Sequence, residues 1–319
     1  MGECVVDLLA NKGDKQDLNE PTTYSQYAGG SPANVAVAVA KLGGKSTLIS
    51  KVGSDKFGTF LLESLKKYDV RTDYVRVINS AQTALAFVFL DEQGERYFEF
   101  YNGNAAQLTM SIDDYPESLF EQAAVVTLSS TMFSNSKLEA STQSALNCFK
   151  RQLGIILLDI NYRAAFWDEP LRAAEVIDSH VKQVDVIKAS KEELIELYGI
   201  DKIDAKITYW LATGVSLVLV TDGNNAVSFN TTQFDGTYPT PTVQAVDTTA
   251  AGDAFVGGFL FQISQQIDGA QSFKEWVGCF DNVLKAIDYA TKCGSFAVTR
   301  YGAFASLPNK SDILTVENN

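Results

Sequence analysis

Histidine is almost missing from this chain: His180 is the only one in 319 residues. That argues against a Ser-His-Asp arrangement and points to a carboxylate for any general base. Cysteine is sparse too. Cys4, Cys148, Cys279 and Cys293 stand far apart without C-x-x-C spacing, so zinc or a disulfide framework is not expected, and the four are read as reduced, mostly buried thiols. No stretch approaches the roughly eighteen apolar residues of a membrane span. Met1-Gly2-Glu3 runs straight into Cys4-Val5-Val6 with no basic and then long apolar leader, so no secretory signal is read and a cytoplasmic setting is expected. Positive charge is in deficit, with 26 Lys and Arg against 39 Asp and Glu and a formal net charge of −13. This excludes general nucleic-acid binding and an anionic membrane surface as partner. A polyphosphate ligand would need a positive site built locally. No G-x-G-x-x-G follows the first apolar segment, which removes a dinucleotide fold. There is no internal repeat and no low-complexity linker.

The content that remains is ordinary for a globular chain: 46% hydrophobic and 20% charged, enough for one large or two modest domains around a sizeable core. Residues 4–9 read as a strand, residues 22–27 as a short one, and Pro32 stands where a helix over 33–42 could start, stopped by Gly43-Gly44. Residues 46–52 read as a strand and 58–68 as an amphipathic helix. Two strand-like runs, 83–90 and 96–101, flank Asp91-Glu92-Gln93-Gly94, a hairpin signal. Beyond them strands at 125–128, 155–159, 184–188, 215–220 and 226–229 alternate with helices at 137–152, 171–183, 191–198 and 203–213. Such alternation predicts an α/β fold with a mostly parallel central sheet and helices on both faces. The hairpin-like stretches do not fit that sheet. They predict a small antiparallel β subdomain of residues 11–30 and 81–105, set on a large domain of 1–10, 31–80 and 106–319.

The most informative segment is Val246-Asp247-Thr248-Thr249-Ala250-Ala251-Gly252-Asp253-Ala254-Phe255. Small residues let a ligand approach the backbone, and the unpaired N–H groups of a helix start form an anion site. A carboxylate there is odd for plain phosphate binding. Asp253 either caps the helix or removes a proton from a hydroxyl as it attacks a phosphoryl group. Spacing alone leaves both open.

Residues 247–253 resemble the C-terminal signature of the ribokinase-like (PfkB) family of carbohydrate kinases. Gly29-Gly30-Ser31-Pro32-Ala33-Asn34-Val35-Ala36, then Leu42-Gly43 and Val52-Gly53-x-Asp55-x-Phe57-Gly58, resemble its N-terminal signature. Asp159-x-Asn161-x-Arg163 followed by Trp167 is similar to the pattern of its fructokinase and 2-keto-3-deoxygluconate kinase branches. Ala297-Val298-Thr299-Arg300-Tyr301-Gly302-Ala303 resembles the family's closing segment. The matches run in family order from Gly2 to Pro308.

The resemblance implies a ribokinase-like three-layer sandwich with a small antiparallel β lid, using ATP and Mg²⁺. Asp253 would be the catalytic base, and the N–H groups of Ala250, Ala251, Gly252 and Asp253 the anion hole. The first small residue of that hole is usually Gly; if the position needs positive φ, Ala250 would be strained. Asp7, Gly29, Gly30, Asn34, Tyr101, Asn161 and Arg163 would meet the sugar, with Arg163 supplying local positive charge. Lys188, Ser190, Thr221, Gly223, Ala251, Gly252 and Asn282 would meet the nucleotide, Thr221-Asp222-Gly223 lying at a strand end where parallel sheets bind ligands. Glu193 falls where the family orders hydrated magnesium, Ser190 replacing the usual Asn. The carbonyls of Asp247, Thr249, Ala297, Arg300 and Gly302, with the Ser306 hydroxyl, match a potassium site. Without the family, Asp7 is a strand-end residue, Gly29-Gly30 a tight turn, Arg163 a surface cation and Lys191-Glu192-Glu193 a solvated helical turn.

Two departures bear on substrate. Asn102 stands where fructokinase-like sequences commonly have Arg, and Ala106-Gln107 replaces Ala-Asp. The activity implied is that of an ATP-dependent sugar kinase acting on a primary hydroxyl, with fructose, giving fructose 6-phosphate, as the first acceptor. The alternatives are 2-keto-3-deoxygluconate, ribose or a nucleoside as acceptor, or a sugar- or nucleotide-binding protein without catalysis. The lid would exclude water from ATP. Its aromatics, Phe87, Phe89, Phe98, Phe100 and Tyr101, are read as packing between the lids of a homodimer.

Overall fold

Ile155–Asp159 is buried at every residue, and a strand with no exposed face needs a helix layer on each side. The computed structural model provides both layers. It describes residues 1–11, 23–90, 96–101 and 103–316, the side chains of 90 and 96–98 excepted. In chain order the elements are β1 Val5–Ala10, β2 Tyr24–Gly29, α1 Ser31–Lys41, β3 Ser50–Gly53, α2 Lys56–Lys67, β4 Val75–Ile78, β5 Ala84–Leu90 and β6 Arg96–Tyr101. Then come α3 Glu117–Phe120, β7 Val125–Ser129, α4 Ser136–Arg151, β8 Ile155–Asp159, α5 Ala173–His180, β9 Val186–Ser190, α6 Lys191–Tyr198 and α7 Ile203–Thr213. The chain closes with β10 Leu217–Thr221, β11 Val227–Asn230, β12 Asp235–Tyr238, α8 Ala251–Ser264, α9 Ala270–Val277, α10 Phe280–Ala297 and α11 Lys310–Ile313.

The large sheet runs β12-β11-β10-β9-β8-β7, parallel from β7 to β10 and antiparallel at β11 and β12. Alternation along β8 divides its side chains between two cores. Ile156 and Leu158 join Phe149, Ile177, Leu194 and Trp210 of α4 to α7. Ile155 and Leu157 join Val35 of α1 with Phe255 and Phe259 of α8, Trp276 of α9 and Ile287 of α10. This is the α/β three-layer sandwich expected of the chain.

The small sheet, β2-β1-β5-β6, has two antiparallel pairings and one parallel pairing, β1 with β5. Residues 4–9 were expected beside the large sheet, and they lie in this one. Val5 and Val6 are buried, Asp7, Leu8 and Leu9 are half-buried, and Ala10 is buried again. The run at 46–52 shortens to β3, which pairs only with β4. The helix expected at 171–183 is α5 flanked by 3₁₀ turns, the first opening on Pro170, whose ring suits a first helical position. The hairpin turn at 91–94 and Asn102 lie outside the described residues.

Asp55 joins the two parts. Its carboxylate caps α2 through Gly58 N–H at 2.8 Å and accepts Thr83 N–H at 2.9 Å and Thr83 Oγ1 at 2.8 Å, just before β5 begins. Partial burial works to raise its pKa, but the hydrogen bonds from Thr83 and Gly58 outweigh that and hold it below the ordinary aspartate value. The lone histidine is structural: its ring stacks on Phe133 at 4.3 Å, and its nitrogens face Gln143 and Glu139. Of the cysteines, expected to be mostly buried, Cys4 and Cys293 are buried, Cys148 is half-buried and Cys279 exposed. Among the described residues no helix is long and apolar enough to cross a membrane.

Candidate functional site

The helix α8 begins in a backbone conformation that its sequence resists. Ala250, its N-cap residue, has φ 60° and ψ 11°, the left-handed region that costs an L-residue about 1–2 kcal/mol. Ala250 offers no side-chain cap, and Asp253 is the third helical residue, so the reading of Asp253 as a cap does not hold. Ala251 N–H reaches Thr248 O at 3.3 Å, while helix geometry leaves the N–H groups of Gly252 and Asp253 without an intrahelical acceptor. Those two amides and the helix dipole make the start of α8 favourable for an anion.

Asp253 is held by α1. Ser31 Oγ donates to its Oδ1 at 2.6 Å and Asn34 Nδ2 to its Oδ2 at 2.7 Å. The two helices come close because Gly257 meets Ala38: a Cβ on Gly257 would lie 2.3 Å from the Ala38 methyl. Asp253 is only 6% exposed. Burial pushes its pKa up, against the lowering effect of Ser31, Asn34, Lys188 and Arg163. A base of raised pKa, oriented by two donors, suits abstraction of a hydroxyl proton.

The positive charge that the composition lacks is local and buried. Lys188, in the middle of β9, is paired in register with Asp159 at the end of β8, and its Nζ lies 3.1 Å from Asp159 Oδ1. Both side chains are 3% exposed. A Cβ on Gly252 would lie 2.9 Å from Lys188 Nζ, so the ammonium sits directly over the start of α8. Burial works to lower the Lys188 pKa, but Asp159, Glu193 and Asp253 outweigh it and keep the ammonium protonated. Burial raises the Asp159 carboxyl above its ordinary value against the pull of Lys188. Arg163, the cation expected from the sequence, is half-exposed; it donates to Tyr162 O at 2.7 Å and pairs with Glu193 at 3.5 Å.

On the sugar side, a cavity between the small sheet and the large domain is lined by Asp7, Leu9, Tyr27, Val88, Thr249, Gly302 and Ala303. Asp7 Oδ2 sits where a Cβ on Gly29 would be 2.3 Å away. Gly30 has φ 97°, and a Cβ there would meet Glu3 O at 2.8 Å, so only glycine fits the turn that starts α1. Asn161 adopts φ 36°, tolerated by Asn better than by most residues. Tyr101 is not brought to this cavity. It pairs with Leu85, on the sheet face opposite Asp7, is 63% exposed and packs on Phe87 at 5.1 Å; its neighbour Phe100 turns inward onto Phe166 at 4.6 Å. Gln107 is 2% exposed, and neither of its amide atoms has a hydrogen-bond partner.

On the nucleotide side, Ser190 and Thr221 are register partners at the ends of β9 and β10, and Gly223 follows at φ 57°. Ser190 and Glu193 form a capping box: Glu193 N–H donates to Ser190 Oγ at 3.1 Å and Ser190 N–H to Glu193 Oε2 at 2.9 Å. Glu193 Oε1 has only the 3.5 Å ion pair with Arg163, which fits outer-sphere contact with a hydrated magnesium ion. Asn282 lies in the first turn of α10, about 18 Å along that helix from Gly294, where a Cβ would lie 3.2 Å from Ala251 O; its amide donates to Trp276 O at 3.4 Å.

The segments expected to hold a monovalent cation are tied together by Asp247, whose carboxylate accepts Thr249 N–H at 2.9 Å and Gly302 N–H at 2.8 Å. Ala297 O accepts Arg300 N–H, and the Ser306 hydroxyl, expected as a ligand, donates to Ala303 O at 2.8 Å. Among the described residues no group of three or more His, Cys, Asp or Glu could hold a metal ion. Carbonyl oxygens are therefore the donors these two segments offer. Ser31, Asp159 and Asp55 were not singled out from sequence as site residues. For Asp159 a signal existed, since it ends a parallel strand. Ser31 gave no signal beyond preceding Pro32 at a helix start.

A family profile described as "pfkB family carbohydrate kinase" matches residues 1–310. Fructokinase-1 of Zea mays is 34% identical over 315 residues, 98% of this chain and 95% of that protein. A crystal structure of fructokinase with bound ATP from Xylella fastidiosa superposes with a TM-score of 0.91 at 34% identity, covering 98% of this chain and 95% of that one. A fructokinase of Vibrio cholerae O395 in fructose, ADP and calcium ion bound form gives 0.87 at 32% identity, with 99% and 96% covered.

Proposed function

The chain belongs to the pfkB family of carbohydrate kinases, and from that premise we propose that it transfers the γ-phosphoryl group of ATP to the primary hydroxyl of fructose, giving fructose 6-phosphate and ADP. The observation that carries the reading is the buried Asp253 carboxylate in the first turn of α8, beside the amides of Gly252 and Asp253 and under the Lys188 ammonium. The fructokinase relatives of matching length support fructose as the acceptor.

Asp7, the Gly29-Gly30 turn, Asn34, Asn161 and Arg163 orient the sugar so that one hydroxyl points at Asp253. Asp253 takes that hydroxyl's proton as its oxygen forms a bond to the γ-phosphorus. The bond from the γ-phosphorus to the bridging oxygen breaks, and ADP leaves with the electron pair. The amides at the α8 start and Lys188 face the charge on the transferring group. Glu193 would hold a hydrated magnesium ion through its water, and that ion would supply neutralisation of phosphate charge. Potassium in the loops tied by Asp247 would steady the anion hole next to Thr249 and Ala250. The small sheet acts as a lid, hinged at Asp55 and Thr83, that closes over the sugar and keeps water from ATP.

The reading extends to a homodimer. Tyr24, Phe87, Phe89 and Tyr101 form one aromatic patch on the lid face away from the cleft, with Tyr24 and Phe87 rings 5.3 Å apart and Tyr24 and Phe89 rings 6.3 Å apart. A partner lid would cover it, and a light-scattering mass twice that of one chain is the expected outcome. Free thiols such as the exposed Cys279 suit a reducing, cytoplasmic setting.

The test is ATP consumption by the purified protein with fructose, 2-keto-3-deoxygluconate, ribose, glucose and adenosine in turn. Fructose is expected to give the highest kcat/KM. Gln107, standing where fructokinase-like sequences have Asp, makes the sister acceptors the informative controls. A preference for another acceptor overturns fructose alone; no stimulation by any acceptor overturns the kinase reading.

A further inference from the structure

We infer that Asp159 is a positioning residue for phosphoryl transfer, acting through Lys188. The inference rests on the kinase reading above and deepens it. A lysine has four rotatable bonds and gives a compact charge no fixed direction, yet Lys188 Nζ stands at one place, over Gly252 at the start of α8. Three carboxylates, Asp159, Glu193 and Asp253, act on it electrostatically, but Asp159 alone bonds to it, at 3.1 Å and 3.5 Å.

The backbone fixes that bond. Asp159 and Lys188 are register partners on adjacent parallel strands, and Ile160 N–H donates to Lys188 O at 2.8 Å, locking the end of β8 to the middle of β9. Both side chains therefore lie on the same face of the sheet as Leu157 and Val186, the face packed against α8. Only one face of the ammonium is taken by Asp159, and another lies against Gly252, where the transferring group would stand. The glycine matters, because a Cβ at 252 would occupy the space of the ammonium.

Without Asp159, Lys188 would lose the hydrogen bonds that fix its place and would be drawn toward Glu193 and Asp253. Movement onto the base would lower the basicity of Asp253, and either movement would take the cation off the phosphoryl path. Asp159 thus keeps the cation and the base apart, each on its own side of the reacting group. The capping box and the pairing with Arg163 fix Glu193 at the start of α6.

Steady-state kinetics with ATP and the best acceptor test this in wild type, Asp159→Asn, Lys188→Met and the double variant. Asp159→Asn is expected to lower kcat by about 10- to 100-fold, less than the roughly 10²- to 10³-fold that loss of a group facing the transition state costs, with sugar KM within about twofold. In the Lys188→Met background the same change is expected to cost less than about twofold, because its target is gone. Equal losses in both backgrounds, or an unchanged kcat in Asp159→Asn, would overturn the inference. If Asp159→Asn does not fold, Asp159→Glu carries the test: it keeps the ion pair but moves the ammonium, so kcat falls with sugar KM unchanged, and full kcat overturns the inference. Inactive wild type with every acceptor would instead indict the kinase reading.

Discussion

Alanine at position 29 and alanine at position 30 should separate binding from stability within one turn. At Gly30 the φ of 97° costs a non-glycine residue about 1–3 kcal/mol. Its new methyl would also lie 2.8 Å from Glu3 O and 3.0 Å from Val5 N, backbone atoms that cannot rotate away. Overpacking of that kind costs about 1–3 kcal/mol, so Gly30→Ala should lose about 2–6 kcal/mol in all. Gly29 has no left-handed φ, and its new methyl meets a side-chain end, Asp7 Oδ2 at 2.3 Å. Turning that carboxylate aside costs about 0.5–1.5 kcal/mol of rotamer strain, but it removes a charged hydrogen bond to the sugar worth about 1.5–3 kcal/mol, or roughly a 10- to 100-fold rise in sugar KM. Urea unfolding and kinetics on both variants give the assay, with ATP KM as the control. Equal destabilisation of the two variants, with sugar KM unchanged in Gly29→Ala, would refute the placement of Asp7.

Ala250→Gly should relieve about 1–2 kcal/mol of left-handed strain while adding about 0.4–1 kcal/mol of unfolded-chain entropy. The expected result in urea is a gain of between about 0 and 1.6 kcal/mol with kcat no lower; a net loss of stability contradicts the observed φ of 60°. Ser31→Ala removes a donor that lowers the Asp253 pKa. Because the base works ionised and activity falls as pH drops through its pKa, the acid limb of the kcat profile should move to higher pH; an unmoved limb separates Ser31 from the base. Asp55 has a depressed pKa in the folded protein, so its stabilisation is present above the ordinary aspartate value of about 3.9 and is lost as pH falls through the folded one. The gap in melting temperature between wild type and Asp55→Ala should therefore narrow on acidification, and a constant gap rules that linkage out.

Much of the large sheet was legible because β8, β9 and β10 are short, mostly apolar runs, buried on both faces. The placement of β1 was not, since its pairing with β5 joins residues far apart in sequence and nothing local records it. The start of α8 was readable from small residues before an apolar helix. Arg163, expected as the local cation, carries a visible motif, whereas the buried pairing of Lys188 with Asp159 comes from a strand register that no local pattern records. Tyr101 shows the limit of position without parity, because the residue next to it, Phe100, is the one that faces inward. The doubt over Ala250 was conditional on its φ, and the backbone meets the condition.

Asp253→Asn is the most direct measurement of the central claim. The amide keeps the shape of the carboxylate, and Asn34 has an unpartnered, buried Oδ1 that a turned amide can offer it. Burial raises the Asp253 pKa, so the ionised carboxylate costs stability once pH rises above the folded value, and the variant should melt no lower than wild type at neutral pH. With the fold intact, ADP formation from ATP and fructose should fall by about 10²- to 10⁴-fold in kcat while fructose binding persists. A folded Asp253→Asn protein that phosphorylates fructose at the wild-type rate would contradict Asp253 as the base.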